Sequence, residues 1–249
     1  MPFLERVTYG QVVPQPHQMV TELVALDTLK TWSLIVTLFG DLEGEELSGA
    51  QIRTLLGHIG IKPDAIRVAL HRLKSDGWIS SSKRGREAIY EMTTMARAET
   101  KAVAPDIYRK TIKHQGNWRF CLTPNAPDRV DAIMINPNLA LLPLEATVDL
   151  PESVVLSGSD QNLPPWIANG LVPENLVQIA ANLTSIIRCV PYPVTVLDRQ
   201  AARLLILHHW RRIALRTGAW AHANFQPNGH IRACHAQVVG ILDATKGIK

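Results

Sequence analysis

Hydrophobic positions first recur with a helical period near Thr28. Leu29, Trp32, Ile35, Val36 and Phe39 stand at i, i+3 and i+4 spacing, the signature of one helical face. Gly40 is a natural end for that helix, and a short acidic loop, 41–46, follows. Ser48-Gly49-Ala50-Gln51 reads as a capping box, in which Ser48 satisfies an amide of the next turn and Gln51 reaches back. The helix behind it is short, with Ile52, Leu55 and Leu56 facing inward and Gly57 or Gly60 ending it. Pro63 fits the first turn of a third helix. Ile66, Ala69, Leu70 and Leu73 form its apolar stripe, and Gly77 is its expected left-handed terminus. Strand, tight turn and strand are expected next, over Trp78–Ser81, Lys83–Arg86 and Ala88–Met92. Thr93 is placed to cap a helix running to about Lys113.

Beyond Trp118 the pattern changes. Trp118–Leu122, Asn138–Leu142 and Ser153–Leu156 read as strands and Asp128–Ile135 as a short helix, giving a small α/β unit. Pro164-Pro165 and Gly170 separate it from a mainly helical remainder, whose strongest helix is expected near Asp198–Arg216. Residues 1–27 contain Pro2, Pro14 and Pro16 without a clear period, and part of them is expected to form a flexible arm.

The 249 residues suffice for two or three small domains, and 46% hydrophobic against 19% charged residues is a composition that buries a core. Cys121, Cys189 and Cys234 are widely spaced and odd in number, which fits reduced thiols better than a disulfide framework. No basic, then apolar leader and no long apolar run is present, so a cytoplasmic protein without membrane insertion is expected.

Net charge is only +4, but its distribution is uneven. Lys62–Arg86 holds seven Lys/Arg against Asp64 and Asp76, whereas 121–175 holds Arg129 against seven acids. With its apolar stripe buried, the third helix turns Asp64, Arg67, Val68, His71, Arg72, Lys74 and Ser75 outward. A helix of this kind fits the major groove of DNA, where Arg suits the O6 and N7 acceptors of guanine. A basic turn carrying Lys83, Arg84 and Arg86 around Gly85 fits the backbone or the minor groove. Helix, capped short helix, reader helix and hairpin is the order of a winged helix-turn-helix. The residues expected to meet double-stranded DNA are Lys62, Arg67, His71, Arg72, Lys74, Lys83, Arg84 and Arg86.

Three stretches carry a family resemblance. The segment from Leu29 to Asp41 (LKTWSLIVTLFGD), the segment from Ile66 to Trp78 (IRVALHRLKSDGW), and Lys83-Arg84-Gly85-Arg86 with Tyr90-Glu91-Met92-Thr93 resemble the PaaX family of bacterial repressors. Gly116-Asn117-Trp118-Arg119 and the Arg203–Arg212 stretch (RLLILHHWRR) are similar to later pieces of that family. The resemblance implies an α+β multidomain chain with an N-terminal winged helix-turn-helix, a central ferredoxin-like α/β domain and a C-terminal helical domain. The boundaries expected are an arm at 1–27, the winged helix at 28–97, a linker helix at 98–115, the ferredoxin-like dimerisation domain at 116–165 and the helical, effector-binding domain at 166–249. It further implies a homodimer on a palindromic operator, released by an aryl- or acyl-CoA such as phenylacetyl-CoA, with no cofactor of its own. The chain departs from the family pattern after Arg212, where Arg216-Thr217-Gly218-Ala219-Trp220 replaces a Leu-Pro-rich continuation.

The helix near Arg203 holds Arg199, Arg203, Arg211, Arg212 and Arg216 against Asp198 alone. Clustered Arg suits the phosphates of coenzyme A, and Arg203, His208, Arg211 and Arg212 are the effector contacts expected. A basic solvated face over a tryptophan-containing core is the alternative for the same residues. His222, His230, Cys234 and His235 form the one metal-like grouping, at spacings that match no standard zinc site. No nucleophile elbow, Walker loop or zincin motif occurs, and a non-enzyme is expected. A nucleic-acid- or acyl-CoA-acting enzyme that uses the winged helix for docking, with Asp128 and Asp131 in its middle domain, is the competing class.

Overall fold

A computed structural model describes residues 16–43, 45–112, 117–125, 132–144, 152–159, 164–216, 218–226 and 228–245. The fold is α+β, with ten helices and two small antiparallel sheets among the described residues.

The first half comprises α1 (Gln18–Ala25), α2 (Thr31–Asp41), β1 (Leu47–Ser48), α3 (Gly49–His58), α4 (Pro63–Ser75), β2 (Ile79–Arg84), β3 (Glu87–Met92) and α5 (Thr94–Ile107). The punctuation expected from the sequence is present. Ser48 Oγ accepts from the Gln51 amide at 3.2 Å and Gln51 Oε1 from the Ser48 amide at 2.8 Å, so both halves of the box form. Pro63 opens α4, and Gly77 follows it at φ +73°, a left-handed conformation that glycine adopts without a Cβ penalty. Thr93 caps α5, although that helix ends at Ile107 rather than near Lys113.

Three expectations shift. The stretch 1–27 contains α1, whose Met19, Val20 and Leu23 are fully buried; residues 1–15 lie outside the described residues. Helix α2 passes Gly40 and ends at Asp41, and it has no single buried face. Leu34 through Phe39 are all buried, while Trp32 is 41% exposed. The reason is burial from two sides, by α4 and by the later helix α8 (Val196–Ala214). The two-residue strand β1 was not expected. It pairs with β3 through Leu47↔Tyr90 and Ser48↔Ile89, completing a sheet of order β1-β3-β2.

The middle strands are β4 (Asn117–Leu122), β5 (Ile133–Asn136), β6 (Leu139–Pro143) and β7 (Val154–Ser159), all antiparallel in the order β5-β6-β4-β7. The helix expected over Asp128–Ile135 is corrected at its end, because Ile133–Asn136 pairs with β6 as a strand. Three consecutive apolar residues, Ile133-Met134-Ile135, form a short run that periodicity alone does not assign to helix or strand, and pairing with β6 decides it. Asp128 and Asp131 lie outside the described residues.

The remaining helices are α6 (Pro165–Leu171), α7 (Glu174–Cys189), α8, α9 (Ala219–Phe225) and α10 (His230–Ala244). Helix α6 meets the middle sheet closely. A Cβ at Gly170 would lie 2.7 Å from Ile135 Cγ2 and 2.9 Å from Ile135 O, so only glycine permits the approach. Helix α8 is capped by Thr195 and buries Ala201, Ala202 and every residue from Leu204 to Trp210. Burial over so much of its length makes α8 a core helix despite its charged and polar residues, and α1, α2, α3, α5, α7, α9 and α10 pack around it. One apolar cluster runs from Met19 to Leu242 through α8. The segments at 28–97 and 166–249 therefore share a core, where the sequence suggested separate domains.

No helix among the described residues is long and apolar enough to cross a membrane.

Candidate nucleic-acid interface

Helix α4 owes its orientation to Ile66, Ala69, Leu70 and Leu73, which are buried against α2, α3 and the hairpin. That fixes the opposite face outward. Lys62, Asp64, Arg67, Val68, His71, Arg72, Lys74 and Ser75 are all exposed. Val68 is 63% exposed, an apolar residue set among cations on a solvent face. Thymine methyls are the apolar feature a major groove offers to such a side chain.

The cations on this face are held loosely. Arg67 Nη2 lies 3.3 Å from Asp64 Oδ1 and Arg72 Nε 3.4 Å from Asp76 Oδ2, in pairs that are largely exposed. Exposed pairs of this length contribute about 0–1 kcal/mol, so both guanidiniums are available to exchange their carboxylate for another acceptor. Lys74 Nζ donates to Ser81 Oγ at 2.8 Å, which ties the end of α4 to the start of the hairpin. The hairpin registers Arg84 opposite Glu87 and turns through Gly85 at φ +65°. Lys83, Arg84 and Arg86 are exposed around that turn, and Arg84 Nη2 reaches Glu46 Oε2 at 2.7 Å. The eight residues expected from sequence therefore lie on one helix, its preceding residue and one adjoining turn.

Arg53, on α3, went unremarked in the sequence. It is exposed and, with Gly49, Arg84, Arg86, Glu87 and Ala88, lines a polar groove of about 590 Å³ between α3 and the hairpin. Its signal was the i, i+4 spacing to Gly49, since a helical side chain leans over the preceding turn.

The second expected site looks different. Arg203 donates from Nε and Nη2 to both oxygens of Asp41, at 2.6 and 2.7 Å, and from Nη1 to Leu242 O and Thr245 Oγ1. Burial alone lowers its pKa, but the Asp41 bonds and charge outweigh that and raise it. Arg212 pairs with Asp27. His208 is buried, and desolvation, then the charges of His209, Arg212 and Arg211, push it down to about 3, so it is neutral at neutral pH. Arg211 is half-buried. Arg203 and Arg212 thus already have anionic partners, and these partners come from α2 and from the residue run after α1. A third tie has the same form: His58 Nε2 at the end of α3 meets Asp198 Oδ1 at 2.7 Å, where Asp198 also accepts from Thr195 and the His17 amide.

His222 and His235 are buried, His235 Nε2 bonding Arg109 O at 2.6 Å, and Cys234 is a buried thiol pushed up to about 12 by desolvation. Among the described residues no three His, Cys, Asp or Glu side chains converge as metal ligands do.

The sequence profile of the PaaX-like protein family matches residues 30–96, from the start of α2 into α5. The transcriptional repressor PaaX of Escherichia coli (strain K12) is 30% identical over 95 residues, which are 36% of this chain and 30% of that relative. A solved structure, the uncharacterized protein Rv0674 from Mycobacterium tuberculosis, is similar at a TM-score of 0.45 and 14% identity over 88% of this chain and 100% of that one. The family match falls on the elements that build the α4 face and the hairpin, and the chain spans about 30% of the length of the curated relative it matches.

Proposed function

We propose that the protein is a DNA-binding transcriptional repressor in which α2–α4 and the β2–β3 hairpin act as a winged helix-turn-helix. One observation carries the reading: α4 buries one face and offers Arg67, Val68, His71 and Arg72 on the other, beside a basic turn. Arg67 and Arg72 are the base-reading residues in this account. Lys62, His71, Lys74, Lys83, Arg84 and Arg86 position the duplex through its phosphates. The PaaX-like match over the same elements supports the assignment, and the repressor activity of the Escherichia coli relative supports its direction.

The finer architecture is proposed as well. The strand order β5-β6-β4-β7 with all-antiparallel pairing agrees with a ferredoxin-like middle domain, and this domain is assigned to dimerisation. A dimer places two α4 helices on half-sites about 34 Å apart. An aryl- or acyl-CoA such as phenylacetyl-CoA is the proposed effector, with Arg203, His208, Arg211 and Arg212 as its contacts. Anion binding there competes with Asp41 and Asp27 for Arg203 and Arg212. Effector binding and the ties of α8 to the N-terminal helices then exclude one another, which is a route from ligand to reader.

Fluorescence anisotropy with labelled DNA from upstream of the protein's own gene tests this, with and without phenylacetyl-CoA. Selective binding abolished by the acyl-CoA is the expected result. Selective binding that ignores it removes the effector assignment, and no selective binding removes the repressor reading.

A further inference from the structure

The groove between α3 and the hairpin takes no lining residue from α4, and three of its six lining residues are arginines against the single carboxylate of Glu87. Arg53 comes from α3, Arg84 and Arg86 from the hairpin, and all three are exposed. Two carboxylates stand nearby and both have other duties. Glu87 Oε1 accepts from the Ala50 amide at 3.2 Å, closing the first turn of α3, and Glu46 holds Arg84. Among the described residues neither Arg53 nor Arg86 has a carboxylate partner.

Gly49 shapes the site. A Cβ there would lie 3.1 Å from Arg53 Nη1, so the bare helix start lets that guanidinium rest against the groove wall. Because Glu87 occupies an amide of the α3 terminus, the cationic character of the groove comes from guanidiniums. Their planar forks match the oxygens of a phosphate.

We propose that this groove binds a phosphate of the DNA backbone, with Arg53 and Arg86 as its direct donors and Arg84 exchanging Glu46 for the same oxygens. The inference rests on the DNA-binding reading and deepens it, adding a contact that fixes the register of α4 without reading sequence. Free phosphate shares the chemistry, and the backbone is favoured because the hairpin that lines the groove also packs on α4 through β2, with Lys74 bonded to Ser81.

The test compares the unaltered full-length protein with Arg53→Ala, Arg86→Ala and Gly49→Ala in DNA-binding titrations over a range of sodium chloride. Upstream and scrambled duplexes are both used, and a thermal melt checks each variant's fold. Each Arg variant is expected to weaken both duplexes by the same factor and to lower the slope of log K against log[salt] by about 0.9, one phosphate contact. Gly49→Ala keeps every charge yet is expected to weaken both duplexes, by displacing Arg53. Slopes unchanged in both Arg variants, with the unaltered protein still binding in a salt-dependent way, overturn the groove and leave the repressor reading standing. Failure of the unaltered protein to bind any duplex overturns both. Sodium phosphate that competes beyond chloride at equal ionic strength, and loses that advantage in Arg53→Ala without a change in DNA slope, assigns the groove to the free ion and overturns the backbone contact.

Discussion

Asp41 and Arg203 are 162 positions apart and make a two-point ion pair between α2 and α8, at 2.6 and 2.7 Å. Their side chains are only 12% and 15% exposed, so water screens the pair little. Asp41→Ala leaves the guanidinium with Leu242 O and Thr245 Oγ1 but no counter-charge. Removing one partner of a buried pair costs about 3–5 kcal/mol. A domain's whole stability is about 5–15 kcal/mol, so the variant approaches unfolding at ambient temperature. Replacing both members, as Asp41→Leu with Arg203→Met, removes the uncompensated charge and is expected to recover most of that loss. Urea unfolding of the parent, Asp41→Leu, Arg203→Met and the double variant supplies the double-mutant cycle, with a coupling energy of about 2–3 kcal/mol expected from neighbouring charged groups. A loss below about 1 kcal/mol for Asp41→Ala, or an additive cycle, would refute the reasoning and return Arg203 to the role of an uncommitted anion contact.

Further outcomes follow from single features. Ser48→Ala removes one half of the capping box at the start of α3 and is expected to cost about 1 kcal/mol in urea unfolding, with no loss predicting an amide already satisfied elsewhere. Gly170→Ala drives a Cβ into the Ile135 backbone and is expected to cost about 1–3 kcal/mol, read as a lowered melting temperature; an unchanged melt contradicts the close packing of α6 on β5. His208, His209, His222 and His235 are all held below the usual imidazole range by burial, His208 at about 3. The unfolded chain takes up protons below about pH 6.5 while the folded His208 does not. Its contribution is therefore complete above about pH 6.5 and is lost as pH falls toward 3, by about 1.4 kcal/mol per pH unit. Unfolding midpoints at pH 7.5 and 5.5 should differ accordingly, and His208→Leu should flatten the difference. Equal midpoints in the parent contradict burial of these imidazoles.

What the sequence disclosed was local. The capping box at Ser48, Pro63 at the start of α4 and Gly77 at its end depend on neighbours within a few residues, and each is where the pattern puts it. The outward face of α4 was legible because one side of that helix is buried and the other is not. Helix α8 defeats the same reasoning. It is buried all round, so its period says little, and its arginines look like a free basic face until Asp27 and Asp41 arrive from the other end of the chain. Strand β1 is two residues long and forms only because β3 presents an edge to it. Arg53 escaped notice because a groove between α3 and a hairpin is a property of packing, and the i, i+4 spacing to Gly49 alone does not reveal the hairpin side of it.

The central claim is that the exposed face of α4 reads duplex DNA. The most direct measurement is the affinity of the parent and of the Arg67→Ala/Arg72→Ala double variant for the upstream duplex and a scrambled one, at one fixed salt concentration. The account predicts that the variant folds normally, loses about 1–3 kcal/mol of upstream affinity for each bidentate contact removed, and binds the two duplexes nearly alike. A folded double variant that still prefers the upstream duplex as strongly as the parent contradicts it.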